Sequence, residues 1–390
     1  MDKTLLERMR TALKVKKEFP SLKQVSSVLQ PSQEYASKGH KAIKAGKVGT
    51  IILAGGMGTR LKFPHPKGLY PITLVRHKTL YQLVAEKTHA ASKAYGVDLK
   101  IAFMTSPQND KDTVDYFKEK GRFGLKEEQL SFFMQEELPF LDDKGEPFSG
   151  EPKGPDGNGR VFEHFKKSGL LEQWVKNGIE YINIILIDNP LAEPFDANLI
   201  GALIKNEKDV IVKAVKKETS EEKTGTLVLA NDRLKVIEYT ELPENERGKH
   251  LYANISLFAL TLSFAKELAS QHLPLHVAYK PLTSQSTING YKFETFIFDL
   301  LDYTNKADVM VFDKDACFAP LKNSVGLDSP TTVQHALEQH DRKTLSEITG
   351  HRILNQPLEL DPAFYYPTQK LLSQWTGKNV DESLHYIIAE

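Results

Sequence analysis

The chain has 390 residues, 40% hydrophobic and 26% charged, the make-up of a globular protein with room for one large α/β domain plus attachments, or two to three modules. Lys+Arg and Asp+Glu each total 51, so a formal net charge of +0 provides no bulk attraction to nucleic acid or to an anionic membrane. Cys317 is the sole cysteine, which excludes an internal disulfide and suits a reducing compartment. No run approaches the roughly 18 apolar residues of a membrane-spanning helix, and the charged stretch from Met1 to Lys17 lacks the apolar core of a secretory signal, so a cytoplasmic protein is expected.

In chain order, residues 1–45 read as a helical arm. Leu5, Leu6, Met9 and Leu13 recur at helical spacing, and Leu22, Val25, Val28 and Leu29 predict a second short helix. Pro20-Ser21 and Pro31-Ser32 punctuate the pair, with serine placed to cap. The apolar face is too small for a membrane-surface helix and suits packing on the main domain. Residues 46–340 then alternate strands and helices. Strands are predicted over 48–54, 99–105, 130–135, 179–188, 209–216, 252–260 and 308–312, and helices over 79–95, 111–120, 161–176, 262–272, 293–303 and 331–340. A hairpin of 225–230 with 234–239 is expected to turn at Asn231-Asp232. The alternation predicts an α/β fold, a mostly parallel mixed sheet with helices on both faces. No internal repeat or low-complexity tract interrupts it, and residues 341–390 read as a small C-terminal module.

The chemistry concentrates in one loop. The apolar run Thr50-Ile51-Ile52-Leu53-Ala54 reads as a buried parallel strand, and Gly55, Gly56 and Gly58 follow within four residues. Glycines allow backbone N–H groups to approach a phosphate chain closely. Thr59 and Arg60 come next, then Pro66-Lys67-Gly68. A guanidinium grips phosphate oxygens in pairs, and an ammonium adds a compact charge. The dinucleotide fingerprint is excluded because Leu61 stands where its third glycine belongs, and the Walker pattern because Gly68 follows Lys67 where Ser or Thr is required. The loop is a phosphate cradle at the carboxyl end of a strand, where open α/β sheets bind ligands.

Other residues are open to two readings by type alone. Asp188 ends the strongest strand of the chain and suits either a divalent cation or the capping of a following helix. Gln135 ends a second strand, where its amide can pair with a pyrimidine edge or serve the fold. Gly157 and Asn158, in Pro155-Asp156-Gly157-Asn158-Gly159, form an ordinary turn or a loop meeting a base or sugar. Lys322 lies on the Pro-constrained loop Phe318-Ala319-Pro320-Leu321-Lys322-Asn323, as a surface charge or a phosphate ligand. Glu241 closes a strand, and Asn254 is a polar amide inside an apolar one, which demands a hydrogen bond from backbone or ligand. The histidines show no metal spacing, and no Ser/His/Asp or Cys/His arrangement stands out.

Together these motifs resemble the eukaryotic-type UDP-N-acetylglucosamine pyrophosphorylase family, within the wider UDP-sugar pyrophosphorylases. The matches run in order over roughly residues 48–340: LAGGMGTRL with PKG, FGLKEEQLSFFMQ, PDGNG, IDNP, the stretch around Glu241, FETFIFDLL, and FAPLKN followed by PTTVQHAL. Met57 stands where a Gln is usual, and the segment around Asn254 lacks the fuller Asn-Ala-Gly-Asn run. The resemblance implies a nucleotidyltransferase fold of the Rossmann-like, glycosyltransferase-A type, acting on UTP and a sugar 1-phosphate with Mg²⁺. It implies that Leu53, Gly55, Gly56, Gly58 and Thr59 hold the nucleotide, with Arg60 and Lys67 on its phosphates. Gln135 and Gly157 would read uracil; Asn158, Glu241 and Asn254 would meet the sugar; Lys322 would take its phosphate and Asp188 the metal. UDP-N-acetylglucosamine is the expected product, a monomer the expected state, and neither nucleic acid nor membrane an expected partner. A UDP-glucose or broad-specificity pyrophosphorylase is the enzymatic alternative. The other is a non-catalytic nucleotide-sugar regulator, which Lys67 and Lys322 argue against, since a sensor has no leaving group to stabilise.

Overall fold

The computed structural model describes residues 3–15, 21–150, 152–219, 222–282, 286–354, 357–381 and 383–389. The chain opens with α1 (Lys3–Lys14), β1 (Leu22–Gln24) and α2 (Gln33–Lys44). Then come β2 (Val48–Leu53), α3 (Leu80–Tyr95), β3 (Lys100–Thr105), α4 (Asp110–Glu119) and β4 (Leu130–Met134). A small hairpin of β5 (Glu137–Pro139) and β6 (Lys153–Pro155) leads to α5 (Val161–Lys167), α6 (Leu170–Lys176), β7 (Tyr181–Leu186) and α7 (Ala197–Lys205). Next are β8 (Val210–Lys216), β9 (Thr226–Ala230), β10 (Arg233–Ile237), β11 (Tyr252–Thr261) and α8 (Leu262–Leu268). The rest is β12 (His276–Pro281), β13 (Asn289–Glu294), β14 (Ala307–Phe312), α9 (Lys314–Cys317), α10 (Pro330–Thr349), β15 (Glu359–Leu360), α11 (Gln369–Trp375) and β16 (Tyr386–Ile387).

Ten strands form one mixed sheet. β2 lies between β3 and β7 and pairs with both in parallel, and β4 continues that parallel half beside β3. The chain thus walks from β2 to β3 to β4 in one direction and then crosses to the other side of β2. That reversal opens a crevice beyond the carboxyl ends of β2 and β7, where doubly wound sheets bind ligands. β11 runs antiparallel between β7 and β8, and β14 extends β8 in parallel.

Every residue of β2 is buried, because helices cover both faces. Ile52 faces a cluster with Tyr81, Leu83 and Val84 of α3 and Leu199 and Ile200 of α7. Ile51 and Leu53 face the opposite cluster, with Phe165 of α5, Trp174 of α6 and Phe264 of α8. Each such aliphatic side chain contributes about 1.5–3 kcal/mol, so the strand carrying the glycine loop is among the most firmly held elements. The C-terminal residues have a cluster of their own, in which Leu360, Phe364, Trp375 and Ile387 pack against Leu345 of α10. Among the described residues no helix is long and apolar enough to cross a membrane.

The structure departs from the periodicity in identifiable places. Residues 22–29 are extended, not helical: β1 pairs with β9, and the Leu29 N–H donates to Val309 at 2.8 Å. A Val-rich segment just before Pro31 gains more from an open sheet edge than from an isolated helical turn. Pro20 lies outside the described residues, whereas Ser32 caps α2 by accepting from the Tyr35 N–H. The helix expected over 293–303 is divided between β13, which holds Phe293, and a 3₁₀ turn at Ile297–Tyr303. The helix over 161–176 breaks at Gly169, which sits at φ +81°. The turn at Asn231-Asp232 has φ of 52° and 59°, the geometry of a tight hairpin.

One buried ion pair ties the sheet to α7. Lys213 of β8 lies 2.7 Å from Asp196, whose other oxygen accepts from the first-turn N–H groups of α7. Burial works against the Lys213 charge, but Asp196 with the neighbouring Cys317 and Glu193 together outweigh it, and its pKa is raised. Lys213→Met is expected to strand the Asp196 charge and cost about 3–5 kcal/mol. Urea unfolding checks this, and a midpoint equal to wild type would show the pair to be expendable.

Candidate active site

The glycine loop leaves the end of β2, where Leu53 is buried. Its conformation is set largely by Asn109, a buried side chain that donates to the carbonyls of Ala54 (2.9 Å) and Gly56 (3.3 Å). Gly58 turns the loop back on itself by donating to His65 and accepting from Phe63. The Lys67 N–H then donates to the Gly56 carbonyl at 3.1 Å, bringing the two halves of the motif together. A side chain at Gly68 would collide with the Tyr81 ring at 2.2 Å, so glycine there lets the Lys67 turn seat on the aromatic face. Gly56 differs: a Cβ there would meet nothing within 4 Å. Its exposed face is open for an approaching ligand, with Thr59 and Arg60 exposed beside it.

Gln135 continues from β4, held by its N–H on the Thr105 carbonyl at 2.9 Å. Its buried amide lies directly against Gly55, where a Cβ would come within 2.7 Å of Oε1. Gly157 adopts φ +86° and crosses so close to Thr295 that a Cβ would overlap its carbonyl oxygen at 2.2 Å. Any other residue would be strained there. Asn158 Oδ1 accepts from the Ile297 N–H at 2.9 Å, so that half of its amide serves the fold.

Asp188 follows β7 and faces the glycine loop. Its Oδ2 lies 3.2 Å from Lys67 Nζ, and both side chains are mostly shielded. The cap of the next helix is Asp196, which answers the alternative role considered for Asp188. Buried Lys87 of α3 anchors the turn beyond Asp188 by donating to the Pro190 carbonyl at 2.6 Å, and burial pushes its pKa down to about 8. The loop bearing Lys322 is fastened to the same turn. The Leu321 N–H donates to the Asp188 carbonyl at 2.7 Å. Asn189 clamps the loop from below, donating to Cys317 (2.8 Å) and accepting from Ala319 (3.0 Å). Lys322 itself is partly exposed, with Nζ 3.7 Å from Asp328.

On the far side, Asn254 sits where β11 bulges, its amide bonded to Ser256 at 3.1 and 3.3 Å. Ser256 takes a φ of +55° to allow this. Glu238 lies beside Asn254: a Cβ on Gly225 would be 3.3 Å from Glu238 Oε1 and 3.8 Å from Asn254 Cβ. Its carboxyl is pushed above the usual range by burial first and by Glu241 second, while His276 and Lys322 pull the other way. Glu241 instead points at His276 (3.1 Å), whose second nitrogen lies 2.8 Å from Asp299. Glu241 also lines a cleft of about 700 Å³ beside α1.

The structure therefore brings the glycine loop, Lys67, Asp188, Gln135 and the Lys322 loop to one crevice, and places Glu238 within charge reach of Lys322. Asn109, Asn189 and Glu238 were not singled out from sequence. Asn189 follows Asp188 directly in IDNP, and Glu238 stands in the same Glu-Tyr-Thr-Glu run as Glu241.

A glycine loop with an open backbone face, a strand-end carboxylate and two lysines at the switch point of a mostly parallel sheet are the arrangement expected of a nucleotidyltransferase, and comparison with known proteins shows that class. The family described as UTP–glucose-1-phosphate uridylyltransferase matches residues 4–346. A probable UDP-N-acetylglucosamine pyrophosphorylase of Encephalitozoon cuniculi is 34% identical over 325 residues, spanning 80% of this chain and 92% of that one. The UDP-N-acetylglucosamine pyrophosphorylase of Saccharomyces cerevisiae is 32% identical over 384 residues, spanning 90% and 80%. The crystal structure of the Trypanosoma brucei UDP-N-acetylglucosamine pyrophosphorylase in complex with an inhibitor has a TM-score of 0.84 and 26% identity, covering 98% of this chain and 89% of that one. The chain belongs to the UDP-N-acetylglucosamine pyrophosphorylases of this uridylyltransferase family.

Proposed function

We propose that the crevice makes UDP-N-acetylglucosamine and pyrophosphate from UTP and N-acetylglucosamine 1-phosphate. The observation that carries the assignment of roles is that Lys67 is bonded both to the Gly56 carbonyl and to Asp188, whose own carbonyl holds the Lys322 loop. A phosphate oxygen of the sugar phosphate attacks the α-phosphorus of UTP, the bond from that phosphorus to the bridging oxygen breaks, and pyrophosphate leaves with the electron pair. No protein nucleophile is needed; positioning and neutralisation of charge suffice. Lys322 aligns the attacking phosphate and offsets its charge. Arg60, Lys67 and the amides of residues 55–57 stabilise the departing pyrophosphate, the Gly58 N–H being held by the His65 carbonyl.

Asp188 suits Mg²⁺: it is a hard oxygen donor at the crevice, and one of its oxygens already faces an ammonium charge at 3.2 Å. Mg²⁺ uses one or two carboxylates and fills its remaining positions with phosphate oxygens and water. When bound there, the ion would supply neutralisation of the α-phosphate region.

Gln135 and Gly157 read the uracil. Asn158 and Asn254 meet the sugar, and Glu238 joins them as an acceptor for a hydroxyl, with Glu241 held back on His276. An acetamido group adds a methyl, and with it one small apolar contact, to what the subsite must recognise. One such contact is worth only about 1–3 kcal/mol, so glucose 1-phosphate is expected as a slower, measurable second substrate. Pyrophosphate release from UTP and Mg²⁺ with a panel of sugar 1-phosphates tests the assignment. A higher kcat/KM for glucose 1-phosphate would move the sugar to the UDP-glucose alternative, and no release with any sugar would leave a non-catalytic regulator.

A further inference from the structure

Behind the two base-reading elements lies a charged cluster that the reaction does not use, buried at Asp156 and His164 and open to solvent at Glu136 and Lys167. Asp156 precedes Gly157 and is fully buried. Its Oδ2 lies 2.8 Å from His164 Nε2 and 3.0 Å from Arg160, while its Oδ1 has no hydrogen-bond partner. Arg160 also reaches Glu136, the residue after Gln135, at 3.2 Å, and Lys167 pairs with the same carboxylate. The backbone repeats the connection, with the Asp156 N–H donating to the Glu136 carbonyl at 3.1 Å and the Asp156 carbonyl accepting from Thr295. Glu136, Asp156 and His164 are close enough together to hold a metal ion, but Arg160 and Lys167 already neutralise the carboxylates. A carboxylate buried with one oxygen unpaired is an expensive way to hold a loop. What it secures is the spacing between the residue after Gln135 and the residue before Gly157.

We propose that Arg160, Asp156 and His164 form a clasp that fixes Gln135 and Gly157 relative to one another and so sets how strictly the enzyme selects uracil over cytosine. The proposal rests on the assignment of those two residues as base readers. Uracil and cytosine exchange acceptor for donor on the edge an amide would read, so discrimination depends on holding the Gln135 amide and the Gly157 backbone in register. Arg160, Asp156 and His164 are positioning residues, since they act through the readers.

The test compares kcat/KM for UTP and CTP with N-acetylglucosamine 1-phosphate. Small misplacements of a positioned group carry large penalties. Arg160→Met and His164→Leu are each expected to lower the UTP-to-CTP ratio about tenfold, chiefly through the KM for UTP, with kcat within about twofold and the KM for the sugar phosphate unchanged. His164→Gln retains a donor toward Asp156 and is expected to restore the ratio. Wild-type ratios in folded Arg160→Met and His164→Leu would overturn the clasp. Gln135→Ala separates the two claims. If it leaves the ratio unchanged, the base-reader assignment itself fails. If it collapses the ratio while both clasp variants keep it, only the clasp fails.

Discussion

Asp188→Asn is expected to reduce turnover by at least 10²–10³, the usual effect of removing one preorganised charge from a transition state, while leaving the fold in place. The backbone bonds of this turn survive the substitution, because the Leu321 N–H donates to the main-chain carbonyl of Asp188 and Asn189 continues to clamp residues 317–319. Lys87 still anchors the carbonyl of Pro190. What changes is charge: the amide keeps the shape but gives neither Lys67 nor a divalent cation an anionic partner. The measurement is kcat across a Mg²⁺ titration, beside a thermal melt. A near-normal rate at limiting Mg²⁺ would mean that another group holds the ion. A collapsed melting temperature would mean that Asp188 serves the fold first.

Lys322→Ala is expected to lower kcat by about 10²–10³ and to raise the KM for the sugar phosphate, with the KM for UTP little changed. In its proposed role the lysine meets the sugar phosphate in the ground state as well as the transition state, so both parameters move. Its loop does not depend on the side chain. The Lys322 and Asn323 N–H groups both donate to the Asp328 carbonyl, at 2.8 and 3.0 Å, and Leu321 is tied to Asp188. The 3.7 Å pairing with Asp328 on a partly exposed surface is worth little, so stability should hardly change. Unchanged kcat and KM would reduce Lys322 to a surface charge.

The sequence by itself determined the glycine loop at a strand end, the alternation of strands and helices, and the family. These properties are local. Glycine spacing, a continuous apolar run and a strand-end acid are written within a dozen residues and answer to short-range sterics and periodicity. Gly55, Gly56, Lys67 and Asp188 could be put forward as candidates because their chemistry is carried by residue type and position on an element. Periodicity misled where a sheet edge competed with a helix, as at residues 22–29, and where aromatic residues alternated in a strand, as at Phe293. Only the tertiary structure decided which residues meet. Lys67 and Asp188 are far apart in sequence and adjacent in space because β2 and β7 are parallel neighbours at the point where the strand order reverses. The same long-range packing gave Asn109 and Asn189 their tasks, since a buried amide takes its partners from whatever backbone the fold brings to it. It also set Glu241, beyond the end of β10, against His276.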